Sequence, residues 1–441
     1  MTFTYTPIEE IPKIVAASKA TFKTHRTQSL ENRKEQLRAL LRLVEENKVD
    51  LADAITKDLN RHSDFEIPTI ITAVRDFIDN LENLTQPQKA AGVHEKDDCF
   101  VRLSPLGSVL IIGAWNFPIM LVLEPLAGAI AAGNTAVLKP SEVSVNSAQL
   151  LTRLVQKYMD PAVVSVINGG KDETTVLLQQ RFDHIFYTGG TEVGRIVMQA
   201  AAKNLTPVTL ELGGKCPAIV TDRVDLVKTA QRIAGWKTLN CGQVCLSVDY
   251  VLISKALEAP FIEAVQATWK HLFGDNPRTC ATYPKIVSVR QTERLEKLLQ
   301  SIKKENNIIC GGETNVAERY VAPTIVTNVS LTDEVMKDEI FGPILPIVVC
   351  DDLNGAIDII NQGEHPLGLY LFSDDKDQQE QVLRETRSGA VCINDIACHF
   401  LNHSLPFGGV GNSGIGNYHG RYSIDTFSHK RAVMTRSIAH L

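Results

Sequence analysis

The sequence predicts an α/β protein built on parallel sheets, and three observations carry that prediction. Ser108-Val-Leu-Ile-Ile-Gly113 is a continuous apolar run closed by glycine, the texture of a strand buried on both faces. Pro118 to Ala132 is apolar and helical in length, with Gly133-Asn134 as its stop. Thr135-Ala-Val-Leu138 then supplies a second strand. Strand, helix and strand in that order form a βαβ unit, which requires a parallel sheet.

Before that unit the first 90 residues read as helices. Leu37, Leu40, Leu41 and Val44, then Leu51, Ile55 and Leu59, recur near a 3.6 period with charges between them, and Thr69 to Leu84 continues the pattern. After the unit the alternation goes on. Ala148 to Tyr158 is helical, Val163 to Ile167 a strand, and Thr174 to Gln180 helical. His184 to Tyr187 is a strand running into Thr188-Gly189-Gly190, Glu192 to Lys203 a helix, and Val208 to Leu212 a strand running into Gly213-Gly214. A second βα series extends from Ala218 to about Ile393, and the tail from Leu405 to His429, rich in Gly, Asn and Ser, reads as an ordered arm.

A length of 441 residues suits two domains with a small appendage, and 44% apolar with 22% charged residues is a globular composition. The net charge of −6 and the scattering of Lys and Arg argue against a nucleic-acid partner. The N-terminus lacks the layout of a signal peptide, and no run approaches the ~20 apolar residues of a spanning helix. The expectation is a soluble, cytoplasmic chain with no membrane anchor. Nine cysteines without repeating spacing make a disulfide framework improbable, and no ligand cluster of zinc type is visible, so no metal is expected.

Several segments carry candidate chemistry. Asn240-Cys241-Gly242-Gln243-Val244-Cys245 offers a thiol among small neighbours. A thiolate suits reversible addition to a carbonyl, and the alternative is a packed structural thiol. In Thr209-Leu-Glu211-Leu-Gly213-Gly214-Lys215 a carboxylate interrupts an apolar strand. Burial there would raise its pKa toward that of a useful base; otherwise its head reaches solvent or a salt bridge. Asn116, in Gly113-Ala-Trp115-Asn116-Phe117-Pro118, sits at the carboxyl end of the sheet, where α/β ligands bind. Its amide can donate to an oxyanion, or its side chain can cap the following helix. Two segments suggest a nucleotide. Lys139-Pro-Ser-Glu142 follows the second strand, where a Rossmann-like fold places groups on the adenosine ribose. Gly189-Gly190-Thr191-Glu-Val-Gly194 lets backbone N–H groups approach a pyrophosphate, although it is not the G-x-G-x-x-G fingerprint.

In this order the segments resemble the aldehyde dehydrogenases, and within them the class 3 and fatty-aldehyde branch. The resemblance runs from the helical N-terminus to Thr426 and is most specific in LTPVTLELGGK (205–215), NCGQVC (240–245), EIFGPILPIV (339–348) and SLPFGGVGNSGIGNYHG (404–420). It implies a Rossmann-like cofactor domain (1–84 and 103–209), an α/β catalytic domain (210–393) and a small bridging β-element with the C-terminal arm (85–102 and 394–441). It implies Cys245 as nucleophile, Glu211 as general base, and Asn116 with the Cys245 N–H as oxyanion hole. Lys139 and Glu142 would lie at the ribose, Gly189, Gly190, Thr191 and Gly194 at the pyrophosphate, and Glu339 and Phe341 at the nicotinamide riboside. The implied reaction is oxidation of medium- to long-chain aliphatic or aromatic aldehydes to acids, through a thiohemiacetal and a thioester. The implied cofactor is NAD, with NADP possible, and the branch typically forms homodimers. Glu142 would repel a 2′-phosphate, which favours NAD.

Two departures stand out: Val244 replaces the usual Thr before the nucleophile, and Ser247-Val248 an Ala-Pro pair. Cys241, one turn from Cys245 if the segment is helical, is a candidate for a reversible disulfide. His399 and His403 are spaced i, i+4, which on a helix suits zinc, but no third ligand is evident. An acylating or reductive semialdehyde dehydrogenase and a non-catalytic homologue are competing readings, and a cysteine hydrolase unrelated to NAD is a third, for which no His partner of the thiol is identifiable. Glu211 argues against the first, and the intact set of Cys245, Glu211, Asn116 and Glu339 against the second.

Overall fold

A computed structural model describes residues 4–62, 65–92, 97–302 and 308–436. Two large sheets organise it. The first has six strands in the order Gly414–Ile415, Val208–Glu211, His184–Thr188, Ser108–Ile112, Thr135–Lys139, Val164–Val166. All its pairings are parallel except that of Gly414–Ile415 on Val208–Glu211. The second has seven, in the order Ile308–Cys310, Thr324–Val326, Ile344–Val349, Tyr250–Ile253, Pro217–Val220, Gly368–Phe372, Ala390–Ile393. There only the pairing of Ile308–Cys310 is antiparallel.

The apolar runs behave as their sequence dictates. Every residue of Ser108–Ile112 and of Thr135–Lys139 is buried, because helices cover both faces of the sheet. The helix between them, Met120–Ala132, is buried along its whole length. It stops where Gly133 turns left-handed (φ 97°) and returns its N–H to Ala129 and Ile130. Helices Ile11–Lys23, Leu30–Glu46, Lys48–Leu59 and Glu66–Thr85 precede the sheet, and Leu37, Leu40, Val44, Leu51, Ile55 and Leu59 point into the core as the periodicity requires. Asp58 in this bundle accepts from the backbone N–H groups of Asn146 and Ser147, capping the helix Val145–Tyr158.

The third sheet is a ribbon of Gln88–Lys89, Asp98–Pro105 and Ser428–Thr435, antiparallel throughout. The C-terminal arm therefore serves two sheets: Gly414–Ile415 extends the six-stranded one, and Ser428–Thr435 closes the ribbon. Among the described residues no helix is long and apolar enough to cross a membrane.

Candidate active site

Glu211 ends its strand, beside Thr188 at the end of the neighbouring strand. Both face a narrow apolar cavity of about 40 Å³ that Cys245, Val244, Phe65, Phe117 and Trp236 also line. Neither carboxylate oxygen of Glu211 has a hydrogen-bond partner, and burial raises its pKa well above the usual carboxylate range. That is the environment of a carboxyl held in its neutral form, which can serve as a base once it loses that proton, rather than of a structural ion pair. Cys245 is pushed up to about 12, first by burial and then by the nearby Glu339 and Glu211, so its sulfur rests as a thiol. The backbone N–H groups of Cys245 and Leu246 lie against that sulfur and oppose the shift.

The loop that carries the thiol is not a helix. Asn240 (φ 49°), Cys241 (φ 56°) and Gly242 (φ 72°) are successively left-handed, a costly backbone for two non-glycine residues. Close packing explains it: a Cβ on Gly242 would meet the carbonyl oxygen of Gly342 at 2.2 Å, so two backbones touch here. Phe341, next to that contact, is itself left-handed (φ 48°) and packs edge-on against Trp115 at 5.3 Å. Cys241 turns away from the cavity, with its sulfur 3.7 Å from the Tyr283 hydroxyl in a separate core. The helical geometry on which a Cys241–Cys245 disulfide depended is absent, and both thiols are free.

Asn116 is buried, and its amide nitrogen donates to the Gln243 carbonyl at 3.1 Å, two residues before Cys245. It does not cap the following helix, which begins at Met120. Glu66 takes that role from far away in sequence, accepting from the N–H groups of Ile119 and Met120 at 2.7 and 2.8 Å. Glu66 also pairs with buried Arg61, whose guanidinium donates to the Asn116 carbonyl. Asn240 Nδ2 donates to the same carbonyl at 2.9 Å. Arg61, Glu66 and Asn240 thus hold Asn116; Asn240 belongs to the segment that carries Cys245, whereas nothing in the sequence pattern points to Arg61 or Glu66.

Glu339 also lies near the thiol. Its carboxylate rests on Gly213, where a Cβ would come within 2.1 Å of Oε2, and burial with nearby Asp249 raises its pKa to about 8. Its segment is tied down by Asp249, which accepts from Ile340 N at 2.9 Å, and by Lys215, which pairs with Asp249 and donates to the Asp338 carbonyl. Glu339, Gly213, Lys215, Thr191 and Asn412 line a cleft of about 550 Å³. Gly190 caps the helix Thr191–Ala202 with open space where a side chain would be. That leaves the helix N-terminus approachable by a phosphate. Lys139 ends its strand buried, paired with Glu142 at 2.6 Å. A cleft, an open helix N-terminus and a lysine–glutamate pair at a strand end together fit a dinucleotide.

His399 and His403 do not share a helix, because the short helix Cys398–Leu401 ends between them. His403 instead approaches Glu124, as does His419.

The chain matches the model of the aldehyde dehydrogenase family over residues 1–433. It is 46% identical over 424 residues to aldehyde dehydrogenase family 3 member A2 of Rattus norvegicus, covering 95% of this chain and 87% of that one. It is 41% identical to the dimeric NADP-preferring aldehyde dehydrogenase of Canis lupus familiaris, over 98% of this chain and 96% of the relative. The solved substrate-bound state of Staphylococcus aureus AldH superposes with a TM-score of 0.94 at 38% identity, covering 98% of this chain and 94% of that one.

Proposed function

This chain belongs to the aldehyde dehydrogenase family, and from that premise we infer that Cys245 carries its reaction. Its activity is the NAD(P)-dependent oxidation of aldehydes to carboxylic acids. The observation that supports the residue assignment is the meeting of Cys245 and an unpartnered, buried Glu211 on one apolar cavity.

In this reading the Cys245 sulfur loses its proton and adds to the aldehyde carbon, and the carbonyl oxygen becomes an alkoxide. The Asn116 amide and the Cys245 N–H donate to that oxygen. NAD(P), when bound, supplies the acceptor for the hydride that leaves the same carbon. The thioester left on Cys245 is hydrolysed by a water whose proton Glu211 takes, releasing the acid and the thiol. Lys139 and Glu142 hold the adenosine ribose. Gly189, Gly190, Thr191 and Gly194 face the pyrophosphate, and Glu339 and Phe341 the nicotinamide riboside. Residues 1–84 with 103–209 make up the cofactor domain and 210–393 the catalytic domain, although the six-stranded sheet crosses these bounds through Val208–Glu211 and Gly414–Ile415. The ribbon and arm, 85–102 with 394–441, form the bridging element.

The cavity wall of Phe65, Phe117, Leu121, Trp236, Phe400 and Phe407 supports apolar substrates, medium- to long-chain or aromatic. Burying the added methylenes makes kcat/KM for hexanal exceed that for acetaldehyde by at least about 10-fold. Equal efficiency would overturn the apolar reading. Run with NAD and then NADP, the same absorbance assay tests the preference for NAD that we base on the Glu142 carboxylate. Equal or faster turnover with NADP removes that preference.

The exposed eight-residue strand Ser428–Thr435 has one open edge among the described residues, which supports a homodimer joined through the ribbon. A monomer mass by light scattering contradicts it. Nine free thiols suit a reducing, cytoplasmic setting, and secretion with paired cysteines would contradict that placement.

A further inference from the structure

We propose that Glu124, His403 and His419 form a binding site for one divalent transition-metal ion, zinc foremost, behind the aromatic wall of the aldehyde cavity. The three come from distant stretches: Glu124 from the buried helix Met120–Ala132, His403 from the loop after Cys398–Leu401, and His419 from the turn before Gly420–Thr426.

Their geometry is that of a ligand set. Glu124 Oε1 lies 3.4 Å from His403 Nε2 and 3.3 Å from His419 Nε2. All three ligand atoms fall within 4.8 Å of one another. Around a tetrahedral zinc with bonds of about 2.0–2.1 Å, neighbouring ligand atoms stand roughly 3.3–3.5 Å apart. The close approaches are not hydrogen bonds. Both Glu124 oxygens and both His419 ring nitrogens are buried without a hydrogen-bond partner.

Glu124 is 2% exposed and His419 1%, so water does not satisfy them from the surface. A carboxylate and an imidazole left unpaired in the interior are costly, and a cation between them removes that cost.

The surroundings fix the rings. His419 lies stacked on Phe407 at 5.3 Å, edge-on to Phe400 at 4.8 Å and 4.9 Å from His403. The donor set of two imidazoles and a carboxylate, with no sulfur, suits zinc or cobalt over softer ions. Three protein ligands leave one position for water. Such an ion would tie the helix that follows the Asn116 loop to the arm whose Phe400, Phe407 and Tyr418 line the aldehyde cavity.

The test uses the full-length enzyme, stripped with dipicolinate, reloaded with Co²⁺ and passed through a desalting column. Wild type is expected to retain one cobalt per chain, with the visible absorption of a tetrahedral nitrogen–oxygen site and no thiolate charge-transfer band. Glu124→Gln keeps the side-chain shape and His403→Ala removes the most exposed ligand. Retention should weaken at least ~10-fold in both. Zinc should raise the thermal midpoint of wild type and leave that of each variant unmoved, provided circular dichroism shows them folded. No retained cobalt, retention equal in wild type and Glu124→Gln, or a thiolate band that assigns the ion to cysteines would each overturn the proposal. In that event Glu124 is a buried neutral acid.

Discussion

Cys245→Ala abolishes steady reduction of the nicotinamide with every aldehyde, a loss of at least ~10⁴-fold in kcat, as expected when a covalent nucleophile is removed. The half-buried thiol does not line the cleft of about 550 Å³ proposed for the dinucleotide, so NAD binding is expected to persist in the alanine variant. The neighbouring thiols cannot substitute. Cys216 is fully buried, donating to the Cys245 carbonyl at 3.2 Å and accepting from Gly368 N, and burial pushes its pKa well above the usual thiol value. Cys241 is committed to the core around Tyr283. Turnover at wild-type rates in Cys245→Ala would move the chemistry off this loop altogether.

Glu211→Gln separates the two halves of the reaction. Acylation of Cys245 still delivers one equivalent of reduced nicotinamide, but glutamine cannot take a proton from water. The steady phase should then fall by about 10²–10⁴-fold, the usual worth of a general base. Stopped-flow absorbance reads this as a burst of one equivalent per chain followed by a plateau. The pH dependence has a definite sign. As the proposed base Glu211 would work only when ionised, and burial holds its pKa well above the ordinary carboxylate range. Deacylation in the wild type therefore rises with pH through that raised pKa and fails as pH falls below it. The Cys245 thiol, pushed up to about 12, biases acylation in the same direction. A steady phase that survives intact in Glu211→Gln assigns the base elsewhere.

Much of the fold, and the positions of several candidate site residues, are legible in the residues themselves. Ser108–Ile112 and Thr135–Lys139 declare themselves as strands because a run of apolar side chains has nowhere to go but between two layers. Glu211 is visible because a carboxylate in such a run demands a reason. Helix starts are less legible: the helix expected from Thr174 begins at Lys171, where a Gly170 N–H bond to Glu173 starts it rather than apolar periodicity. The left-handed run Asn240–Gly242 is set by a backbone contact with Gly342, a hundred residues on, that no local pattern encodes. The same applies to Glu66, which caps a helix 54 residues beyond it. In the sequence His403 stands out only for its spacing from His399. The partners it meets, Glu124 and His419, are brought to it by the docking of the arm on the buried helix.

The measurement that decides most is peptide-mapped mass spectrometry of Glu211→Gln, quenched in acid after mixing with NAD and hexanal. A hexanoyl thioester is expected at one per chain, with fragment ions placing it on Cys245 and not on Cys241 or Cys216. An unmodified Cys245 during continuing aldehyde-dependent reduction, or the acyl group on another cysteine, would contradict a reaction carried by Cys245 and completed by Glu211.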